Sequence, residues 1–454
     1  MATLIQALPP AKALRPGATS RDVLANMLLA TWICVILAGA VRKWMFPGVQ
    51  ILYLLQDVPL VIAYAYALYK GLFWAGWLAW ACIIGSLLLC IQGLLQVIVI
   101  NLSWVTAIIG LHHYIIYLPI LFIAPVCFNF KHRRRFLRFN LLSTIPMAAI
   151  AVLQARSPQA AWINRTTSGA TAFSIGGSDA FRASGTFNFA LPFAVWCGVV
   201  VSLVIGEWLQ SPTQRSFKSR ILLIICTISA CVATEVSGSR SAVFAAALAF
   251  LGGFLAVLLT RRTKLIVNFI VLTVLLPVLG GLAYLIAPAS VMGNLNRFSG
   301  EENHRDLAHR SEYMAVGFVT ATDLSLLGKG VGVGIQAANV ESANAYVVTL
   351  SENDTMRGVE ELGTFTGTIL DLARYFGAIA FVLMGVRTLL QTPSVGYGLP
   401  LALSTIPTLA FGDLWRTAPM IATQVYFCIA FLLGTILFRR EALGFETLNQ
   451  LRTR

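Results

Sequence analysis

Arginines in short polar segments are the residues of this sequence best suited to chemistry, because a guanidinium group can bind phosphate through two parallel hydrogen bonds. Arg182 precedes an apolar run in segment 181–187 (FRASGTF), and Arg240 lies in a tight turn between two apolar runs, 236–241 (VSGSRS). Arg297 and Arg310 lie in a long polar segment. We interpret these four arginines as candidate ligands of a phosphate-bearing substrate.

The alternative for any one of these arginines is an interfacial side chain that holds a lipid headgroup. Arg240 differs from the others, because its turn is so short that the guanidinium must lie at the ends of the apolar runs, among small hydroxyl residues. The glycine run 328–334 (GKGVGVG) resembles a dinucleotide-binding fingerprint only superficially, since no buried strand precedes it. A tight turn that re-enters the membrane is the better interpretation, and we expect no cofactor.

The elements that must position these residues are apolar helices. Hydrophobic residues make up 57% of the 454 residues, charged residues only 11%, and the mean hydropathy is +0.77. Soluble domains contain about 25% charged residues, and a membrane-spanning helix needs about 20 apolar residues. Twelve apolar runs are present: 23–41, 49–69, 72–91, 105–127, 139–155, 188–207, 221–236, 241–260, 265–287, 364–386, 399–411 and 418–438. The sequence therefore predicts an all-α polytopic membrane protein with about twelve transmembrane helices.

Two of these runs are less regular than the rest. The stretch 72–103 is long enough for one helix plus a re-entrant piece, 93–100, and the run 399–411 is short. The first 22 residues are polar, so we expect no cleavable signal peptide, and the run 23–41 would act as both signal and anchor.

Lysine and arginine counts predict the orientation of the helices. With both termini in the cytoplasm, the inner loops hold 20 basic residues and 4 acidic residues, and the outer segments hold 12 basic and 13 acidic residues. The positive excess therefore lies on one side, as the positive-inside rule requires. We predict a multi-pass protein of the bacterial inner (cytoplasmic) membrane with both termini cytoplasmic.

The same topology explains the net charge of +14 and the pI of about 9.7, which in a soluble protein would suggest a nucleic-acid partner. The basic run Lys131–Arg138 is best interpreted as an anchor on anionic lipid, so the expected partner is the phospholipid bilayer and not nucleic acid. All eight cysteines lie in apolar runs and show no zinc-site spacing, so neither disulfides nor a metal site is expected.

Two predicted outer segments are too long to be simple turns. One follows Arg156 and ends near Asn188, and the other, 288–363, contains ten of the nineteen acidic residues. Loops of this length are usually functional or disordered, and the aromatic content of the second favours a folded catalytic or gating element. The predicted organisation is a cytoplasmic segment 1–22, nine helices in 23–287 with an outer loop at 156–188, a large periplasmic loop 288–363, three helices in 364–438, and a cytoplasmic tail 439–454.

These segments resemble, in type and order, those of the O-antigen ligase and polymerase family of bacterial envelope glycosyltransferases. Segment 182–187 (RASGTF) resembles the family's Arg-x-x-Gly-Thr-Phe segment before a helix, and 237–242 (SGSRSA) resembles its Ser-Arg-Gly-Ala turn. Arg310, followed by 327–332 (LGKGVG), is similar to its arginine and glycine-rich turn, and the helix 364–383 with Gly377 completes the match. The motifs span about 140–390, and their order is more specific than any one of them.

The resemblance implies a GT-C-like membrane glycosyltransferase of O-antigen or exopolysaccharide polymerase or ligase type. The implied donor is a glycan on a polyprenyl (undecaprenyl) diphosphate, the partner is a glycan or lipid acceptor, and other polysaccharide export proteins are further expected partners. An acceptor hydroxyl attacks the anomeric carbon with inversion and the lipid diphosphate leaves. Arginines can stabilise the leaving charge without a metal ion, and the acceptor requires a base within hydrogen-bond reach. The donor-binding candidates are Arg182, Arg240, Arg297 and Arg310.

The sequence departs from the family pattern at one position. The family places a His-Asn pair at the start of the helix after the large loop, near residues 363–364 here, where the sequence has no histidine. The candidate catalytic residues are therefore two carboxylates next to this position, Glu360 and Glu361, and two loop histidines, His304 and His309. We favour the glutamates, because the histidines would require the loop to fold over the donor.

Ionisable residues inside a membrane are costly and are functional candidates by default. Asp371 and Arg374 are three residues apart on one predicted helical face, so they can form an ion pair, either structural or functional. Asp57 stands alone in its helix, and we interpret His112 and His113 as packed residues.

A secondary transporter of about twelve helices is the alternative class. Transporters often contain internal repeats and interrupted helices. The sequence shows no repeat that relates its two halves, and the charged residues are concentrated in one outer loop. These features favour the enzyme.

Overall fold

The computed structural model describes residues 18–74, 76–166, 181–210, 217–260, 263–299, 325–335, 354–391, 396–412, 414 and 418–438. The described residues are mostly helical and contain no β-strand. The fourteen α-helices in them are α1 Ala18–Ala40, α2 Asp57–Lys70, α3 Trp77–Val99, α4 Trp104–Ile115, α5 Ile120–Cys127, α6 Phe130–Arg156, α7 Ala190–Leu209, α8 Phe217–Val236, α9 Arg240–Thr260, α10 Thr263–Ile286, α11 Pro288–Ser299, α12 Asp354–Gln391, α13 Gly398–Ile406 and α14 Ala418–Leu437.

Eleven helical segments among the described residues are long and apolar enough to cross a membrane, and a shorter apolar segment, Gly398–Ala410, accompanies them. Each of the twelve apolar runs of the sequence corresponds to one of these segments. The chain is therefore an all-α, multi-pass membrane protein, as predicted. Helices dominate because a chain inside the bilayer must satisfy its own backbone hydrogen bonds.

The stretch 72–103 contains one continuous helix, α3, and no separate re-entrant piece at 93–100. The helix begins only at Trp77, and the chain before it turns at Gly71, which has a left-handed conformation with φ of 63°. The backbone amide of Trp74 in this turn donates to the carbonyl of Phe122 at 2.8 Å. The irregular part of this stretch therefore precedes α3, and residues 93–99 belong to the helix.

The short run 399–411 is α13 followed by a π-helical turn, Pro407–Phe411. In the packed bundle, α7 and α14 are almost entirely buried, whereas α3 and α10 leave most of their apolar side chains exposed. The buried pair therefore forms the centre of the bundle, and the exposed helices face the lipid.

Helix α12 is broken at Gly363, whose φ of 81° and ψ of 163° only glycine adopts readily. A side chain on Gly367 would overlap the backbone of Val359, and one on Gly358 would lie 3.8 Å from a carboxylate oxygen of Asp371. Segment 354–362 therefore folds back against the beginning of the long part of α12. We call residues 354–374 the α12 hairpin.

Candidate functional site

The α8–α9 turn, the start of α7 and the α12 hairpin lie at one end of the bundle, which is the outer end in the predicted orientation. Segment 181–187, which carries Arg182, leads directly into the first turn of α7. It is held by side chains from α6 and from the end of α1. Arg182 is partly buried. The predicted segment is thus an ordered connection at the outer end and not a loose loop.

The turn that carries Arg240 is compact. Gly238 has a positive φ of 62°, and the backbone amides of Ala242 and Val243 donate to the carbonyl of Ser239 at 3.1 and 3.3 Å. Arg240 is therefore the first residue of α9, and it is partly buried. The N-terminal end of a helix carries unsatisfied amides and a partial positive charge, which adds to the charge of the guanidinium.

A small cleft of about 60 Å³ lies beside this turn. Its walls are mostly apolar, and Ser241 and Thr408 are the lining residues with polar side chains. The lining residues are Leu191, Ala194, Val195, Ser241, Ala245, Pro407, Thr408, Gly412 and Ile421. The start of α7, the start of α9, the π-helical turn and the beginning of α14 thus meet around one apolar slot next to Arg240.

Arg374 fixes the wall of the cleft that the π-helical turn forms. Its Nε donates to the carbonyl of Leu409 at 3.0 Å, and its Nη2 donates to the carbonyl of Gly412 at 2.6 Å. Its Nη1 lies 3.6 Å from Oδ1 of Asp371, so the predicted ion pair is confirmed. A π-helical turn leaves carbonyls without their usual α-helical partners, and the guanidinium supplies donors for them.

Helix α11, which belongs to the predicted loop 288–363, lies beside the turn that carries Arg240. Nδ2 of Asn294 donates to the carbonyl of Glu235 at 3.0 Å, which places α11 beside the end of α8. Arg297 is three residues further along the same helix, so its backbone lies near the turn. The candidates His304, His309 and Arg310 lie outside the described residues.

The Glu361 carboxylate is 1% exposed and accepts four hydrogen bonds. Its Oε2 accepts from the Tyr114 hydroxyl at 3.0 Å and from the Gly332 amide at 3.2 Å. Its Oε1 accepts from the Gly334 amide at 3.1 Å and from Nε of Arg357 at 3.2 Å. A carboxylate has about four acceptor sites, so all of them are in use. This geometry favours a structural anchor over a base that takes a proton from a substrate.

Glu360 differs from Glu361 in both exposure and contacts. Its side chain is 21% exposed, and its Oε1 lies 3.6 Å from Nζ of Lys329. Of the two carboxylates that the sequence singled out, Glu360 is therefore the more accessible to a substrate hydroxyl.

The glycine run is a turn held against α3, α4 and the α12 hairpin. Gly328, Gly330 and Gly332 have φ values of 72°, 123° and 87°, which glycine alone adopts without strain. Oε1 of Gln96 accepts from the Val331 amide at 2.8 Å, and Nε2 of Gln92 donates to the Leu362 carbonyl at 2.9 Å. The run thus serves as a close-packed connection, which is a structural use of glycine.

Two buried basic residues at the outer end are not among the candidates that the sequence suggested. Arg357 belongs to the α12 hairpin and donates to Glu361 and to the Gly334 carbonyl. Lys43, at the end of α1, donates to Ser184 and Gly185. The only available signal was the presence of a basic residue close to the end of an apolar run, which is also typical of interfacial anchors.

Asp57 has partners that the sequence did not reveal. Nε2 of His112 lies 3.0 Å from its Oδ2, and the hydroxyl of Tyr117 donates to its Oδ1 at 2.7 Å. His112 is therefore part of a polar cluster at the start of α2, whereas His113 is buried. The spacing of 55 residues between the aspartate and the histidine carries no pattern from which this contact can be inferred.

Comparisons with known protein families and with curated proteins find no match for this chain.

Proposed function

We propose that the protein is a membrane glycosyltransferase of O-antigen or exopolysaccharide polymerase or ligase type. It transfers a glycan from a polyprenyl diphosphate to an acceptor hydroxyl at the outer face of the bacterial inner membrane. In this reaction a bond forms between the acceptor oxygen and the anomeric carbon. The bond between that carbon and the phosphate oxygen breaks, and the lipid diphosphate leaves with the electron pair. The hydroxyl proton passes to a base.

The observation that carries this proposal is the apolar cleft beside the Arg240 turn. A lipid diphosphate has a charged head next to a hydrocarbon chain, so its site requires cations at the mouth of an apolar slot. Arg240 and the N-terminal end of α9 directly precede Ser241, which lines the cleft, so positive charge is close to its apolar walls. Arg182 and Arg297 lie on elements that lead into, or pack against, the helices around this cleft.

The roles proposed for the other residues follow from their contacts. The four hydrogen bonds of Glu361 support an anchoring role, so the acceptor-side base is the more accessible Glu360 or one of the loop histidines, His304 and His309. Arg310 remains a proposed diphosphate ligand. The predicted orientation, with both termini cytoplasmic, supports the proposal, because the cleft then lies at the outer face.

A secondary transporter remains the second candidate, and the α12 hairpin is the observation that favours it. Interrupted helices with buried charges are typical of transporter sites, and α12 combines a break at Gly363 with the Arg357–Glu361 and Arg374–Asp371 pairs. The enzyme proposal accounts in addition for an apolar cleft next to an arginine turn.

One reconstitution experiment tests both candidates. The purified protein in liposomes is supplied with a labelled oligosaccharide on undecaprenyl diphosphate, together with either more donor or a lipid-linked glycan acceptor. We expect longer glycans or labelled acceptor, with release of an equal amount of undecaprenyl diphosphate. Label that accumulates inside sealed liposomes, with no new glycosidic bond and no released diphosphate, would support the transporter instead.

A further inference from the structure

A buried lysine holds the segment that carries Arg182. Lys43 lies in the π-helical turn Val41–Met45 at the end of α1 and is 1% exposed. Its Nζ donates to Oγ of Ser184 at 2.9 Å and to the carbonyl of Gly185 at 2.9 Å. These two residues directly follow Arg182 and Ala183, so Lys43 holds the side chain two residues beyond the arginine and the backbone three residues beyond it.

Gln154, near the end of α6, completes this attachment from the other side. Its Oε1 accepts from the amides of Ser184 at 3.1 Å and Gly185 at 2.8 Å. Its Nε2 donates to the carbonyl of Gly185 at 3.1 Å, the same oxygen that Lys43 binds. One side chain therefore satisfies three backbone groups of the segment.

The chain beyond Gly185 is equally restricted. Gly185 has a positive φ of 53°, and the hydroxyl of Thr186 donates to the carbonyl of Ile36 in α1 at 2.6 Å. The backbone of residues 186–188 packs so closely on Gly39 that a side chain there would overlap it. The segment after Arg182 thus has almost no conformational freedom relative to α1 and α6.

Both hydrogen-bond acceptors of Lys43 among the described residues belong to the segment that carries Arg182. A buried amino group that lost these acceptors would be left unsatisfied, which is costly. The contacts of Lys43 therefore tie the position of this segment to the end of α1.

We propose that Lys43 is a positioning residue for the donor diphosphate. Together with Gln154 it orients the Arg182 segment, and it acts on the phosphates only through that arginine. This inference rests on the proposed function, because it takes Arg182 as a donor ligand.

The first test is kinetic and uses the full-length protein with the undecaprenyl-diphosphate donor. We expect Lys43→Met to raise KM for the donor about tenfold, which corresponds to ~1.4 kcal/mol, with a smaller change in kcat. Lys43→Arg should recover most of the loss, because it restores a hydrogen-bond donor to Ser184 and Gly185. In an Arg182→Ala background, Lys43→Met should have little further effect, since contacts that act through one residue are not additive. A full additional tenfold loss in that background, or an unchanged KM in the single variant, overturns the proposal.

The second test does not depend on activity. Arg182→Cys is labelled with a charged, membrane-impermeant maleimide, with and without Lys43→Met. Loss of the attachment should increase the labelling rate about tenfold, and an unchanged rate overturns the positioning role. If Lys43→Met increases the labelling rate but the wild-type protein shows no glycan transfer, the proposed function is wrong. The attachment of the Arg182 segment by Lys43 would still be supported.

Two further variants control for folding. Ser184→Ala removes one acceptor of Lys43 and should shift KM and labelling in the same direction by a smaller factor. Ser202→Ala removes a buried hydroxyl that bonds Ser404 at 2.7 Å, deeper in the bundle, and should leave KM and labelling unchanged. A Ser202 variant that behaves like Lys43→Met would attribute the effects to general loosening of the bundle and overturn the proposal.

Discussion

The hydroxyl of Tyr114 in α4 donates a hydrogen bond of 3.0 Å to the Glu361 carboxylate in the α12 hairpin, across 247 residues of sequence. The same carboxylate binds the amides of Gly332 and Gly334, so a single anion joins α4, the glycine turn and the hairpin. The connection between the large loop and α12 is therefore fixed at the outer end. Glu360, the more accessible of the two glutamates, is the neighbouring residue of this anchor.

Replacing Glu361 tests the anchoring role. Glu361→Gln keeps the size of the side chain but presents an amide group to N–H and guanidinium donors that required an acceptor. We expect the free energy of unfolding to fall by ~3 kcal/mol, as for the loss of one partner of a buried charge pair. Thermal unfolding of the purified protein in detergent measures this. A variant as stable as wild type would show that the four hydrogen bonds are not needed.

Replacing Glu360 tests the proposed base. Glu360→Gln should change the free energy of unfolding by less than ~1 kcal/mol, because its partly exposed pair with Lys329 contributes little. If Glu360 accepts the acceptor proton, kcat for glycan transfer should fall at least about 100-fold. Lys329→Met is the matched control, since it removes the same ion pair and keeps the carboxylate. An unchanged kcat in Glu360→Gln would assign the base to His304 or His309. A variant with both histidines replaced by alanine would then test them.

Replacing Arg240 tests the binding of the diphosphate. Removal of a charge-assisted contact to a phosphate in a partly dry site costs about 2–5 kcal/mol, so Arg240→Ala should lower kcat/KM at least about 30-fold. Arg240→Lys should restore little, because an ammonium group cannot form the two parallel hydrogen bonds. Arg156→Ala serves as the control, as this arginine of the outer end binds the Ile286 carbonyl and is assigned no role in binding. Near-normal transfer by Arg240→Ala would remove Arg240 from the site.

The break in α12 makes a prediction about Gly363. A Cβ atom at this position would overlap the Leu326 carbonyl, and the φ of 81° with ψ of 163° is accessible only to glycine. Gly363→Ala should therefore lower the free energy of unfolding by at least ~2 kcal/mol. Gly377→Ala, in the regular part of the same helix with no atom within 4 Å of the new carbon, should be neutral or stabilising by up to about 1 kcal/mol. Equal melting temperatures for the two variants would contradict the hairpin.

Reporter fusions test the orientation of the helices. The distribution of 20 basic residues on one side and 12 on the other predicts cytoplasmic reporters after Arg135, Arg220, Arg262 and Arg440. Fusions after Ser168 and Gln336 should report the external side. If the reporter fused after Arg135 lies on the external side, the predicted orientation is reversed. The cleft would then lie at the cytoplasmic face of the membrane.

Most of the fold could be predicted from the sequence. The twelve apolar runs correspond to the eleven spanning segments and the short Gly398–Ala410 segment. Hydrophobicity over about 20 consecutive residues is a local property, and the stability of a helix in the bilayer depends on it directly. The Asp371–Arg374 pair was predictable for the same reason, since i and i+3 positions share a helical face. The choice of Arg182 and Arg240 rested on local sequence as well, and their roles stay predictions.

Only the tertiary structure decided which polar groups meet. Lys43 reaches Ser184 across 141 residues, Gln96 reaches Val331 across 235, and His112 reaches Asp57 across 55, with no periodicity that relates the partners. The two adjacent glutamates show this most clearly. The sequence treats Glu360 and Glu361 alike, but neighbouring residues of a helix point about 100° apart. The Glu360 carboxylate therefore lies partly exposed near Lys329. The Glu361 carboxylate is enclosed by four donors, two of which are backbone amides of the glycine turn.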